Sequence, residues 1–226
     1  IQLSLLPPEG HVLTGYWSST VISPDGRHIA VSAVDSSGVP RIWIHSLDSQ
    51  TPTALPGTDN AFMPFWSPDS RTIAFVAFSD RMLRKVSISD GAPLTICDAP
   101  NGRGGSWSRD GTILFAPAAE GPLFRVSVGG GDASQVTALD SSRHESGHRF
   151  PCFLPDGKHF LFASIPAGPR GFDIYAGSLD SKRVKKVMTA GSAPVYVTPG
   201  YLLFVREGSV MAQRFDAGRL ELRGEA

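Results

Sequence analysis

Apolar residues in this chain come in short bursts, and none sustains the 3.6-residue rhythm of an amphipathic helix. The bursts recur in a fixed order. A first one reads "STVI", "MPFW", "GGSW", "FPCF" and "PVYV"; a second reads "HIAVSA", "TIAFVA", "TILFAP", "HFLFAS" and "YLLFV". A third reads "RIWIHSLD", "MLRKVSIS", "LFRVSVGG", "DIYAGSLD" and "SVMAQRFD", and a short fourth reads "PTALP", "PLTIC", "SQVTAL" and "RVKKVM". Rich in β-branched and aromatic residues and separated by Gly, Pro, Asp and Ser, these bursts predict strands and turns.

Between the first and second bursts stands one repeated turn: "SPDG" at 23–26, "SPDS" at 67–70, "SRDG" at 108–111, "LPDG" at 154–157 and a worn "TPG" at 198–200. Its second position recurs at Pro24, Pro68, Arg109, Pro155 and Pro199, in steps of 44, 41, 46 and 44 residues. Four short strands at that period predict an all-β chain, a β-propeller of about five four-stranded antiparallel blades. Each sheet needs neighbours to cover its two faces, and that need is why the unit repeats. The blades are expected over 18–57, 62–98, 104–139, 149–188 and 193–226, within a single propeller domain over 1–226. The fifth unit is short. The N-terminal run Gln2–Leu6 is expected to complete it and so close the ring.

The turn is geometry. Proline fits the second position of a type I turn, Asp accepts from nearby backbone N–H groups, and Gly takes the positive φ. Ser70 in place of Gly and Arg109 in place of Pro are drift that a turn tolerates and a catalytic site does not. The residue before the motif is always apolar (Ile22, Trp66, Trp107, Phe153, Val197), so both tryptophans are read as inter-blade packing.

Composition narrows the function classes. With 21 Lys+Arg against 21 Asp+Glu, the chain lacks the basic excess of a nucleic-acid binder. No apolar run approaches the ~18 residues of a membrane span, and the chain opens with no charged-then-apolar leader and no initiator Met. It reads as a mature or excised domain, touching a membrane only through a tether outside it. Cys97 and Cys152 read as two separate apolar residues rather than a bridge.

The turn motif also assigns faces. Loops after the first and third strands share one face of the disc. The longer loops, 34–40, 99–105, 139–149, 165–171 and 190–194, share the other, where binding residues are expected. "SSRHESGHR" places His144, Glu145, His148 and Arg149 in one such loop, readable as a ligand or metal site or as a hydrogen-bonded loop closure. The closure is the simpler reading, because H-x-x-x-H off a helix does not hold both imidazoles on one side. "NGRGGS" offers Arg103 among glycines, as an anion site or a plain turn. Asn60 joins these as a candidate for ligand or partner binding, and no catalytic residue, metal set or cofactor is expected. "VGGGD" has no helix or G-K-[ST] after it and reads as a hairpin turn. "SKRVKKV" reads as an outer strand whose lysines discourage edge pairing.

The repeated "SPDG-R/K-x-I-A-F/V" followed by "I-W/Y-x-x-S-L-D" resembles the WD-like propeller repeats of TolB, the periplasmic Tol-system protein. "LPGTDNAFMPFWSPDS", "GRGGSWSRDGTILFAP" and "HRFPCFLPDGKHFLF" are similar to the C-terminal propellers of bacterial Ser/Thr protein kinases. That resemblance implies a bacterial, extracytoplasmic, non-catalytic sensing or scaffolding module binding a protein, peptide or small ligand. It also leaves room for a portion of a larger ring, which would associate with copies of itself if open. Kinase motifs are absent. Two alternatives stand: a propeller that gates substrates to a serine peptidase, and a five-bladed glycoside hydrolase. The latter needs facing carboxylates, and the five inner-strand stretches "STVIS", "MPFWS", "GGSWS", "FPCFL" and "VYVTP" carry no Asp or Glu.

Overall fold

A computed structural model describes residues 6–14, 20–49, 51–166 and 171–226. The first blade has an inner strand in two pieces, β1 (Val12–Leu13) and β2 (Thr20–Ile22). Both pair with β3 (His28–Val34), followed by β4 (Pro40–Ser46) and β5 (Thr53–Ala54). Blade 2 is β6 (Ala61–Trp66), β7 (Thr72–Ala77), β8 (Met82–Ser87) and β9 (Leu94–Asp98). Blade 3 is β10 (Gly105–Trp107), β11 (Thr112–Phe115), β12 (Phe124–Ser127) and β13 (Ser134–Gln135). Blade 4 is β14 (Glu145–Phe153), β15 (His159–Pro166), β16 (Phe172–Ser178) and β17 (Ser181–Ala190). Blade 5 is β18 (Val195–Val197), β19 (Tyr201–Arg206), β20 (Ser209–Asp216) and β21 (Glu221–Arg223). All pairings within these sheets are antiparallel, and among the described residues the helical content is one 3₁₀ turn, Ser141–Arg143. The chain is an all-β, five-bladed propeller.

The second strand of each blade explains the continuous apolar bursts. In β7, Ile73, Ala74, Phe75, Val76 and Ala77 are all buried, because neighbouring blades cover both faces of the sheet. A strand covered on one face would alternate instead. Phe75 packs in a cluster with Trp66, Ile42 and Ala30, which spans blades 1 and 2. Met63, Phe65, Phe115, Phe150, Ile174 and Phe204 form a cluster that runs across blades 2 to 5.

The fourth position of blade 5 differs from the sequence expectation. It is filled by β21, which follows β20 through a tight turn and pairs with it at Phe215↔Leu222, so the last blade uses its own C-terminal residues. Of the N-terminal run, residues 2–5 lie outside the described residues, and Leu6 is exposed and in no strand. Ile22 and Val197, equivalent to the buried Trp66, are 65% and 39% exposed, so blades 1 and 5 each keep an apolar flank open.

The repeated turn is held as its residues require. Ser23 donates to Asp25 Oδ1 at 2.5 Å, and its own Oγ accepts the His28 N–H at 2.9 Å. Ser67 and Asp69 repeat this in blade 2, with Thr72 N–H in place of His28. Ser70, at φ 62°, does more than drift from glycine: its Oγ accepts the Asp25 N–H at 3.1 Å and ties the first two turns together. Trp66 makes a parallel tie, its indole N–H donating to the Val21 carbonyl at 3.1 Å. The inner strands carry a matching bulge. Register shifts between Phe62 and Phe65 and between Arg149 and Cys152, where Met63 and Phe150 sit at φ 52° before prolines. Gly104, at φ 86°, holds the same place in blade 3, and a Cβ there would press on the Phe150 ring at 3.2 Å.

Candidate functional site

The loop face gathers its chemistry at the junction of blades 3 and 4. Asp140 caps the 3₁₀ turn by accepting the Ser142 N–H at 2.9 Å, and His144 ends the turn at φ 55°, exposed. That turn delivers Glu145 inward. Its carboxylate accepts from the Asp140 N–H at 2.7 Å, from Arg143 Nε at 3.1 Å and from His148 Nε2 at 3.1 Å. Arg143 also reaches Asp140 at 2.9 Å and lies over the Tyr175 ring. His148, 1% exposed, packs on Phe162 and turns Nδ1 to the Thr137 hydroxyl at 2.8 Å.

The network assigns the proton. The Glu145 carboxylate can only accept, so in the neutral imidazole Nε2–H donates to Glu145, Nδ1 is the acceptor, and the Thr137 hydroxyl donates to it while accepting the Leu123 N–H at 2.9 Å. Hydroxyl, imidazole and carboxylate thus stand in line, as in a nucleophilic triad, but the line is closed. Thr137 is 2% exposed and committed on both sides, which leaves no nucleophile facing solvent. The arrangement locks the outer end of blade 3 to the inner strand of blade 4. Alongside it, Gly121 and Gly147 form a parallel bridge, and a Cβ at Gly147 would meet the Ala119 carbonyl oxygen at 2.6 Å.

Burial holds the His148 imidazole below its ordinary 6.5 against the opposing pull of Glu145. Burial also acts to raise the Glu145 carboxyl, but the Asp140 N–H and Arg143 outweigh it and leave the carboxyl below its ordinary 4.5. The signs agree. The unfolded chain takes up a proton near 6.5 and the native imidazole resists, so stability is full above that pH and falls as pH drops through the folded value. The carboxylate's contribution is present above 4.5 and lost as pH falls through its own folded value. Thermal melts between about pH 7.5 and 5.5 are therefore expected to fall below pH 6.5, with His148→Gln flattening that step. Equal slopes in the two proteins would show that His148 is not held neutral.

The other candidates divide. Arg103 Nη1 donates to the Asn101 and Gly102 carbonyls at 3.1 and 2.9 Å, and Arg149 Nε donates to the Ala119 carbonyl at 2.8 Å. The Arg103 carbonyl accepts the Phe150 N–H of the neighbouring inner strand at 3.0 Å. Asn60 lies apart, at the junction of blades 1 and 2. At φ 60°, its backbone N–H donates to Pro40 and its carbonyl accepts from Phe78. Thr137 and the Ala119 carbonyl are not among the sequence candidates. A signal exists in Thr58, which follows the fourth strand of blade 1 and accepts the Ile42 N–H as Thr137 accepts that of Leu123.

Elsewhere the chemistry is quiet. "VGGGD" is a hairpin turn closed by Gly130 N–H to Ser127 O. In β17, Lys185 and Lys186 pair with Glu221 and Asp173. Burial pushes the Cys97 thiol up to about 12, and raises that of Cys152, so neither is poised as a thiolate. Among the described residues, no three His, Cys, Asp or Glu side chains converge as a metal set, and no helix is long and apolar enough to cross a membrane. A cleft of about 450 Å³ opens on the face of the repeated turns, between Pro24, Pro68, Trp107, Phe153, Lys158 and Tyr196.

Against known structures, this architecture aligns with TolB from Acinetobacter baumannii at a TM-score of 0.68 and 17% identity, over 87% of this chain and 51% of that one. It is a propeller with TolB-like neighbours. The β-propeller domain of the Trilobed protease from Pyrococcus furiosus aligns over 92% of this chain and 71% of that one, at a TM-score of 0.56 and 16% identity. Among curated proteins, "Uncharacterized peptidase YuxL" of Bacillus subtilis (strain 168) is 28% identical over 152 residues, 63% of this chain. The chain spans about a fifth of that relative's length, 21%. No family model matches.

The relative corrects one expectation. A non-enzymatic reading rests on the absence of a catalytic motif from these 226 residues. A protein named as a peptidase nevertheless carries a matching stretch, and motifs in the remaining four-fifths of such a protein are invisible from this one. These similarities run to TolB and to peptidases, and they do not show the link to a kinase.

Proposed function

We propose that this chain is the propeller of a peptidase, and that it admits peptides to chemistry carried elsewhere in the same protein. The observation that carries the reading is the 28% identity to a stretch of a peptidase-named protein. The propeller supports it in two ways. The one hydroxyl–imidazole–carboxylate line among the described residues is buried and closed, so these residues are not built to hydrolyse a peptide. Blades packed through shared apolar clusters also make a rigid scaffold of the kind that carries binding loops. The resemblance to periplasmic TolB supports an extracytoplasmic location, which fractionation of the bacterial cell tests.

The deciding experiment uses the full-length protein that contains this chain. Hydrolysis of short chromogenic peptides is expected, with folded casein-sized proteins cut at least ~10-fold more slowly. Absence of hydrolysis from every short peptide in a length and sequence panel would overturn the reading.

A further inference from the structure

We propose that Arg103 and Arg149 together form an oxyanion site on the loop face, at the junction of blades 3 and 4, that takes the carboxylate of a peptide. The choice of a peptide carboxylate rests on the peptidase reading; the anion site itself rests on the geometry.

The two arginines hold equivalent positions. Arg103 lies four residues before Trp107 and Arg149 four before Phe153, each directly before the positive-φ residue of its inner-strand segment, Gly104 and Phe150. The corresponding residues in blades 2 and 5 are Phe62 and Ala193, so the repeat itself does not demand a cation there. Consecutive blades nonetheless join here through the Phe150 N–H to Arg103 carbonyl bond, and the two guanidinium groups lie within electrostatic range of one another. Each is aimed by backbone rather than by an acid: Arg103 by the Asn101 and Gly102 carbonyls, Arg149 by that of Ala119. Among the described residues, neither forms an ion pair, although Arg41, Arg84, Arg143 and Arg223 all do. Among the same residues, both Nη groups of Arg149 and the Nε and Nη2 of Arg103 are left without a hydrogen-bond partner.

Two half-buried cations without a carboxylate repel one another. That repulsion registers on Arg149, which burial and Arg103 both push below the ordinary arginine value, with Glu120 opposing. Arg103 is lowered by burial. Glu120 makes no ion pair with either arginine among the described residues. An incoming anion relieves the repulsion. Paired guanidinium forks match the two oxygens of a planar carboxylate, and each charge-assisted hydrogen bond is stronger than a neutral one.

The test is calorimetric titration of the 226-residue chain with acetyl-trialanine, acetyl-trialanine amide and inorganic phosphate. The free acid is expected to bind at least ~10-fold tighter than the amide, and Arg103→Gln or Arg149→Gln to weaken it ~10-fold each, with unchanged melting temperature. Equal binding of acid and amide, no binding of the acid, or variants of wild-type affinity would overturn the proposal; binding of phosphate but not the acid would overturn the carboxylate assignment. If a variant fails to fold, the Nε–H resonances of the unsubstituted protein decide: Arg103 and Arg149 shift on adding the acid, or the proposal falls. Loss of hydrolysis in the full-length protein alone leaves this result untouched, and loss of carboxylate binding with hydrolysis intact removes only the subsite.

Discussion

His148→Ala is expected to lower the melting temperature by roughly 6–12 °C, from a loss of about 3 kcal/mol. The imidazole is the middle of a buried line, and removing it strands groups at both ends. The Thr137 hydroxyl loses its acceptor at 2.8 Å, and Glu145 loses one of its three donors. A cavity also opens against Phe162, whose ring centroid lies 4.6 Å from that of His148. Glutamine separates these effects: its amide can donate to Glu145 and accept from Thr137 while filling part of the volume. His148→Gln is therefore expected to lose less than half as much as alanine. An alanine variant that melts within about 1 °C of the unsubstituted protein would show that the line does not hold blades 3 and 4 together.

Phe75→Ala is expected to cost as much or more, about 3–5 kcal/mol, or roughly 6–20 °C in melting temperature. Phe75 is fully buried, and it packs among Trp66, Ile42 and Ala30 from its own and the preceding blade. Bulged inner strands and turn-to-turn bonds hold the backbone on both sides, so the site has little room to collapse around the missing ring. Phe162, on which His148 packs, belongs to a different cluster from Phe75, so the two losses are expected to add in the double variant. Differential scanning calorimetry of the two single variants and the double measures both points. A loss at Phe75 under about 1 kcal/mol would mean that blades 1 and 2 are not packed through this ring.

What is legible in the chain follows from range. The turn is local, so its Ser, Pro, Asp and Gly can be read in order, and Ser23, Asp25, Ser67 and Asp69 make the bonds their spacing requires. The strand runs are legible because burial on both faces is written into unbroken apolar stretches such as "TIAFVA". The candidate residues can be found by type, but their fates cannot be read. Glu145 and His148 are three apart, yet what closes them is Thr137, eleven residues upstream in the previous blade. Arg149 is held by the Ala119 carbonyl, thirty residues away and invisible to any pattern of side chains.

The sequence by itself determined the blade, its repeat and its strand order, because strand, turn and covered sheet are each specified within about forty-five consecutive residues. Only the tertiary structure decided that the fifth blade completes itself with Glu221–Arg223 and that the His148 line is closed rather than open to solvent. It also decided that Arg103 and Arg149, from consecutive blades, are held by backbone carbonyls and, among the described residues, form no ion pair. Those outcomes depend on which residues of different blades meet, and that is fixed by how sheets pack face to face rather than by anything adjacent in the chain.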